Sequence, residues 1–148
     1  MGADKHRRDR EKKALRHVRH EHWFLETPAY RALSNAAKVI YTDIAKRYMG
    51  SNNGRIPYSV REGAAAANCS KATAMRALRQ LQAHGFIVEK KHGAFTWKVK
   101  HSSEWLLTEF ADSAGAPPTK DFTHWEKQKP VSLEVPNGCR DETARVSR

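Results

Sequence analysis

The sequence predicts an α+β fold that is mainly helical and carries one small antiparallel β-hairpin. Several segments start at a hydroxyl N-cap and repeat apolar residues every three to four positions, which indicates amphipathic helices. After Gly85 the period changes, and residues 86–89 and 95–100 read as two strands around residues 90–94. With 148 residues, we expect one domain with a tail at each end.

The domain is expected to span residues 23–126. Residues 1–22 are strongly basic with few aliphatic side chains, which predicts a flexible arm or a frayed helix. Such an arm either tracks phosphates or simply keeps the chain in solution, and the residues favour neither role. Residues 127–148 have mixed charge and few large apolar residues, so we expect a disordered C-terminal tail.

The first half of the domain should supply the supporting core. Thr27 and Pro28 are typical of a helix N-terminus, and Ser34 caps a longer helix. The apolar residues of that helix are Ala37, Ile40, Tyr41, Ile44 and Tyr48. Residues 55–58 allow only a brief edge strand because Pro57 has no N–H to donate.

The last part of the domain is less clearly specified. Residues 104–110 fit either a strand or a short helix, and residues 114–118 read as a loop. We expect Phe122 and Trp125 to fasten the final segment onto the domain.

Residues 59–85 predict two short helices joined by a tight turn. Ser59 and Glu62 form a capping-box pattern that opens a helix over about residues 60–67. Ser70 caps a second helix over residues 71–84, and Gly85 ends it. Two helices with this spacing fit helix-turn-helix geometry.

The second helix has a packing side and an outward side. Ala74, Ala77, Leu78 and Leu81 share the packing side. The outward side carries Ala72, Thr73, Arg76, Arg79, Gln80 and Ala83. Small residues would let the helix backbone approach a DNA groove while the guanidinium groups reach bases or phosphates, although an ordinary solvated face has the same pattern.

The predicted hairpin has a basic tip that contains Lys90, Lys91 and His92. These side chains either attract DNA phosphates or form a solubilising turn. Arg55, before the edge strand, leaves the same two alternatives open.

The pattern Ser70-x-x-Thr73-x-x-Arg76-Ala77-Leu78-x-x-Leu81-x-x-x-Gly85-Phe86-Ile87 resembles the DNA-reading helix and first wing strand of winged helix-turn-helix regulators, including the GntR and MarR groups. A wider set of residues between 22 and 126 is similar to small proteobacterial proteins and to winged-helix domains of plasmid or phage replication initiators. The resemblance implies a winged-helix fold and binding to double-stranded DNA. The residues expected to contact DNA are Arg55, Ser59, Arg61, Ser70, Lys71, Thr73, Arg76, Arg79, Gln80, Lys90, Lys91 and His92.

The charge of the chain favours a polyanionic partner. The net charge is +11, with 8 basic against 4 acidic residues in 1–22, 13 against 6 in 23–110, and 6 against 6 in 111–148. An apolar stretch of about 20 residues, as a membrane span requires, is missing, and so is a secretory signal pattern. With only two cysteines, Cys69 and Cys139, we expect reduced thiols and a cytoplasmic, nucleoid-associated protein without contact to membranes.

The sequence indicates a non-enzymatic protein without cofactor or metal. The triplet His20-Glu21-His22 has the histidine spacing of DNA-nicking enzymes, but it lies in a charged segment rather than on an apolar strand. The expected function is sequence-specific DNA binding, in either replication initiation or transcription regulation, with replication or transcription proteins as further partners. A winged module that binds RNA or an acidic protein is the alternative, and a homodimer is left open because no long heptad segment is present.

Overall fold

The structure is a computed structural model that describes residues 16–95 and 100–127. The helices are α1 (His22–Glu26), α2 (Pro28–Arg31), α3 (Asn35–Lys46), α4 (Val60–Ala66) and α5 (Lys71–Ala83), and a 3₁₀ helix spans Asp121–His124. The strands are β1 (Ile56–Tyr58), β2 (Ile87–Lys91), β3 (Ala94–Phe95), β4 (Lys100–His101) and β5 (Ser103–Leu107). The predicted α+β class is confirmed, whereas most of the predicted arm and tail lies outside the described residues.

The helix starts are where the sequence predicts them. The side chains of Thr27, Ser34, Ser59 and Ser70 each accept a hydrogen bond from the backbone N–H three residues later. Such local caps satisfy backbone donors that a helix N-terminus leaves free. Two differences are clear: α1 was not predicted, and α3 ends at Lys46, so that Tyr48 follows the helix instead of belonging to it.

The sheet corrects the predicted hairpin. Its strand order is β1-β5-β2, and both pairs are antiparallel. The partner of β2 is therefore 103–107 and not 95–100, so the predicted second wing strand is wrong. Part of that segment instead forms a separate two-stranded hairpin, β3 with β4.

The physical reason is that β5 is buried and pairs with both other strands of the sheet. Trp105, Leu106 and Leu107 are all buried in β5, and the Trp105 indole also donates to the Tyr58 carbonyl of β1 at 3.0 Å. A central strand with these contacts joins both neighbours to the core. The sequence left open whether residues 104–110 form a strand or a short helix, and the structure shows a strand at Ser103–Leu107.

The core lies between the helices and this sheet. The packing sides of α3 and α5 are buried as predicted, together with Ile56 and Tyr58 of β1 and Ile87 of β2. The segment after the sheet is fastened as predicted: the ring of Phe122 stacks on Phe86 at 4.9 Å. Trp125 lies 4.2 Å from the ring of His84.

The ordered contacts of the domain begin slightly before the predicted boundary. The His20 imidazole stacks on Phe24 at 5.5 Å, and His22 is already the first residue of α1. Within residues 16–95 and 100–127, no helix has the length and apolar character needed to cross a membrane.

Candidate nucleic-acid interface

The start of α4 is held by a network around the Glu62 carboxylate. It accepts hydrogen bonds from the Ser59 backbone N–H and hydroxyl, both at 2.8 Å, and from the Arg47 guanidinium at 2.9 Å. Burial alone would raise the pKa of Glu62, but these hydrogen bonds outweigh burial and lower the pKa. Because Arg47 also donates to the Pro57 carbonyl at 2.9 Å, the network fixes α4 relative to β1.

Ser59 and Gln80, which are among the predicted DNA contacts, bind other groups of the protein. The Ser59 hydroxyl belongs to the capping box just described. The Gln80 amide accepts from the Ser34 N–H at 3.1 Å and donates to the Ala32 carbonyl at 3.3 Å. Gln80 therefore joins α5 to the junction between α2 and α3, a role that its helical position alone does not reveal.

The exposed residues of α5 form one surface, which we call the outward face. It consists of Lys71, Ala72, Met75, Arg76, Arg79 and Ala83. The helix contains no Asp or Glu, and among the described residues none of its three cations forms a salt bridge. The outward face is therefore a cationic surface that also contains two alanines and one methionine.

Hydroxyl groups at the start of α5 position one of these cations. Ser70 Oγ lies 3.0 Å from Thr73 Oγ1, and Arg76 Nη2 donates to Thr73 Oγ1 at 3.3 Å. The contact aligns the Arg76 guanidinium near the helix N-terminus, where backbone N–H groups favour an anion. Most of the five guanidinium N–H donors stay available to a ligand.

Met75 is the residue of this face that the sequence analysis missed. Its position on the helix lies at the border between the packing and the outward sides, so the periodic pattern assigned it to neither. In the structure the side chain is 43% exposed, next to Lys71 and Arg79 one turn away on either side. Its exposure marks it as part of the surface.

The three predicted residues of the hairpin tip lie elsewhere than expected. Lys90 and Lys91 belong to β2, and the register shifts at Lys90 where the strand bulges. Lys90 Nζ forms an ion pair with Asp112 at 3.3 Å, while Lys91 is exposed. His92 follows the strand and lies 3.1 Å from the Glu89 carboxylate. Residues 96–99, between β3 and β4, lie outside the described residues.

A groove separates the start of α4 from the base of the small hairpin. It has a volume of about 470 Å³, and its walls include Arg61, Leu78, Gly93 and Ser103. Arg61 is exposed at the edge of this groove, whereas Arg55 is exposed before β1. Arg61 therefore lines the groove together with the hairpin base, whereas Arg55 does not line it.

Apart from Ser59, Gln80 and Lys90, the predicted residues divide into two sets. Lys71, Thr73, Arg76 and Arg79 lie together on or beside α5, and Ser70 caps that helix. Arg55, Arg61, Lys91 and His92 are exposed on other elements. Comparison with protein-family models, with curated proteins and with solved structures finds no match to this chain.

Proposed function

We propose that this chain is a winged helix-turn-helix protein that binds double-stranded DNA sequence-specifically, with α5 in the major groove. The element order α3-β1-α4-α5-β2-β3-β4-β5 and the three-stranded sheet support the fold. The observation that carries the function is the outward face of α5, which has three exposed cations, two exposed alanines and no acidic residue on the helix. Such a helix matches the width and charge of the groove.

The residues of this face divide by chemistry. Arg76 and Arg79 have the planar fork that pairs with the O6 and N7 acceptors of guanine. Lys71 and the free N–H groups of the first turn suit a phosphate, as does the exposed Lys91 on β2. Ala72 and Ala83 add little bulk, so the helix backbone can come near the base edges.

The biological role follows from the DNA that is bound. A site repeated within a replication origin would indicate an initiator, and a site within a promoter would indicate a transcription regulator. A palindromic site would indicate a homodimer, because the symmetry of the DNA mirrors that of the protein. Replication or transcription proteins are then the expected further partners.

The experiment is selection of bound fragments from random duplex DNA, followed by affinity measurement on the selected duplex. We expect Arg79→Ala to weaken binding, whereas Lys46→Ala, which removes an exposed cation from α3, leaves it nearly unchanged. An RNA duplex of the same length is the competitor. Tighter binding of the RNA, or equal losses for the two variants, would contradict the proposal.

A further inference from the structure

Met75 differs in chemistry from every other residue of the outward face. The face otherwise contains exposed cations and alanines, whereas Met75 exposes 43% of a large apolar side chain. An exposed methionine keeps apolar surface in water unless a partner covers it.

The flanking charges favour a polyanion with an apolar patch. Lys71 and Arg79 lie four residues before and four residues after Met75, so the three side chains follow one line along the helix. A purely apolar protein partner would have to bury both cations without compensation, which is costly. In the major groove, the exposed apolar group of a base pair is the C5 methyl of thymine.

The helix pitch sets where that thymine would lie. One turn of helix rises about 5.4 Å, and stacked base pairs are about 3.4 Å apart. A side chain one turn from Arg79 therefore reaches a base one or two positions from the base that Arg79 contacts. An unbranched thioether has the flexibility to cover a methyl group at that distance.

We propose that Met75 determines specificity by packing its thioether against the C5 methyl group of a thymine in the bound DNA. The inference rests on the proposed function, since it assigns a base preference to the same face of α5. The thymine is one or two base pairs from a guanine bound by Arg79.

The experiment replaces each thymine of the selected duplex in turn with deoxyuridine, which removes only the methyl group. We expect one replacement to weaken wild-type binding roughly four-fold, because that is the effect on affinity of no longer burying one methyl or methylene group. Met75→Ala should bind the thymine and deoxyuridine duplexes equally, while Met75→Leu retains part of the difference. Val39→Ala, at a 44% exposed residue of α3, is the matched control and should discriminate like the wild type.

The outcomes separate the inference from the function on which it rests. The inference is overturned, while DNA binding stands, if the wild type binds its selected duplex with the same affinity after every replacement of thymine by deoxyuridine. The same holds if Met75→Ala discriminates between the two duplexes like the wild type. A selected site without thymine overturns it as well. If no duplex is preferred over random DNA, the proposed function fails, and the inference fails with it.

Discussion

The sharpest consequence of the proposed interface concerns Arg76. Its side chain is exposed and has one hydrogen bond, to Thr73 Oγ1 at 3.3 Å, and among the described residues it has no acidic partner. Arg76→Ala should therefore change the free energy of unfolding by no more than about 0.5 kcal/mol, as for other exposed sites. The variant stays folded, so a change in DNA affinity reports on binding.

The size of that change depends on what Arg76 contacts. A bidentate pair with guanine contributes about 1–3 kcal/mol of discrimination, which corresponds to about 5- to 150-fold in affinity. The loss should appear on the selected duplex and be much smaller on random DNA. A phosphate contact would instead weaken both duplexes alike and reduce the slope of log K against log salt by about 0.9.

Fluorescence anisotropy on the two duplexes over a range of salt concentrations measures both quantities. Arg76→Lys is the matched variant, because it keeps the charge but lacks the planar fork. We expect it to lose discrimination while the salt slope stays at the wild-type value. Equal losses on selected and random duplexes for Arg76→Ala would refute base recognition by this residue.

Three further predictions test other parts of the structure. The double variant Lys90→Ala, Lys91→Ala should weaken binding to all duplexes and flatten the salt dependence of the affinity. Most of the effect should come from Lys91, since Lys90 is already ion-paired with Asp112. An unchanged salt slope would exclude β2 from the interface. Phe122→Ala should cost about 3–5 kcal/mol in urea unfolding because the ring is buried, and a loss below about 1 kcal/mol would show that the final segment does not fasten the domain. Folding lowers the pKa of Glu62, so the ionised carboxylate stabilises the fold fully above the ordinary glutamate pKa, and this stabilisation is lost as the pH falls through the lowered pKa. The difference in free energy of unfolding between wild type and Glu62→Gln should therefore vanish in acid. A difference that does not change with pH would contradict the capping network.

The predictable parts of this fold are those that neighbouring residues determine. The Ser59–Glu62 capping box and the Ser70 cap link residues three apart in sequence, so the pattern contains both partners. The buried set of α5 was predictable for the same reason, because helical periodicity alone separates Ala74, Ala77, Leu78 and Leu81 from the rest. These local signals also located most of the outward face.

The parts that the sequence did not reveal depend on distant partners. Strand β2 pairs with 103–107 because that strand also reaches β1, a contact that no local pattern contains. The Gln80 amide bonds to residues 46 and 48 positions away, and Lys90 pairs with Asp112, which follows β5. From the sequence alone, the polar side chains of Gln80 and Lys90 were expected to bind a ligand, whereas in the folded protein each binds another residue.

The central claim is that α5 occupies the major groove of a specific DNA site. The most direct measurement is methylation protection of guanine N7, an atom that faces the major groove, on the selected duplex saturated with wild-type protein. We predict protection of the guanines within the site, and renewed reactivity of one guanine when Arg76→Ala replaces the wild type at saturation. Full reactivity of every guanine N7 under saturating wild-type protein would contradict the account.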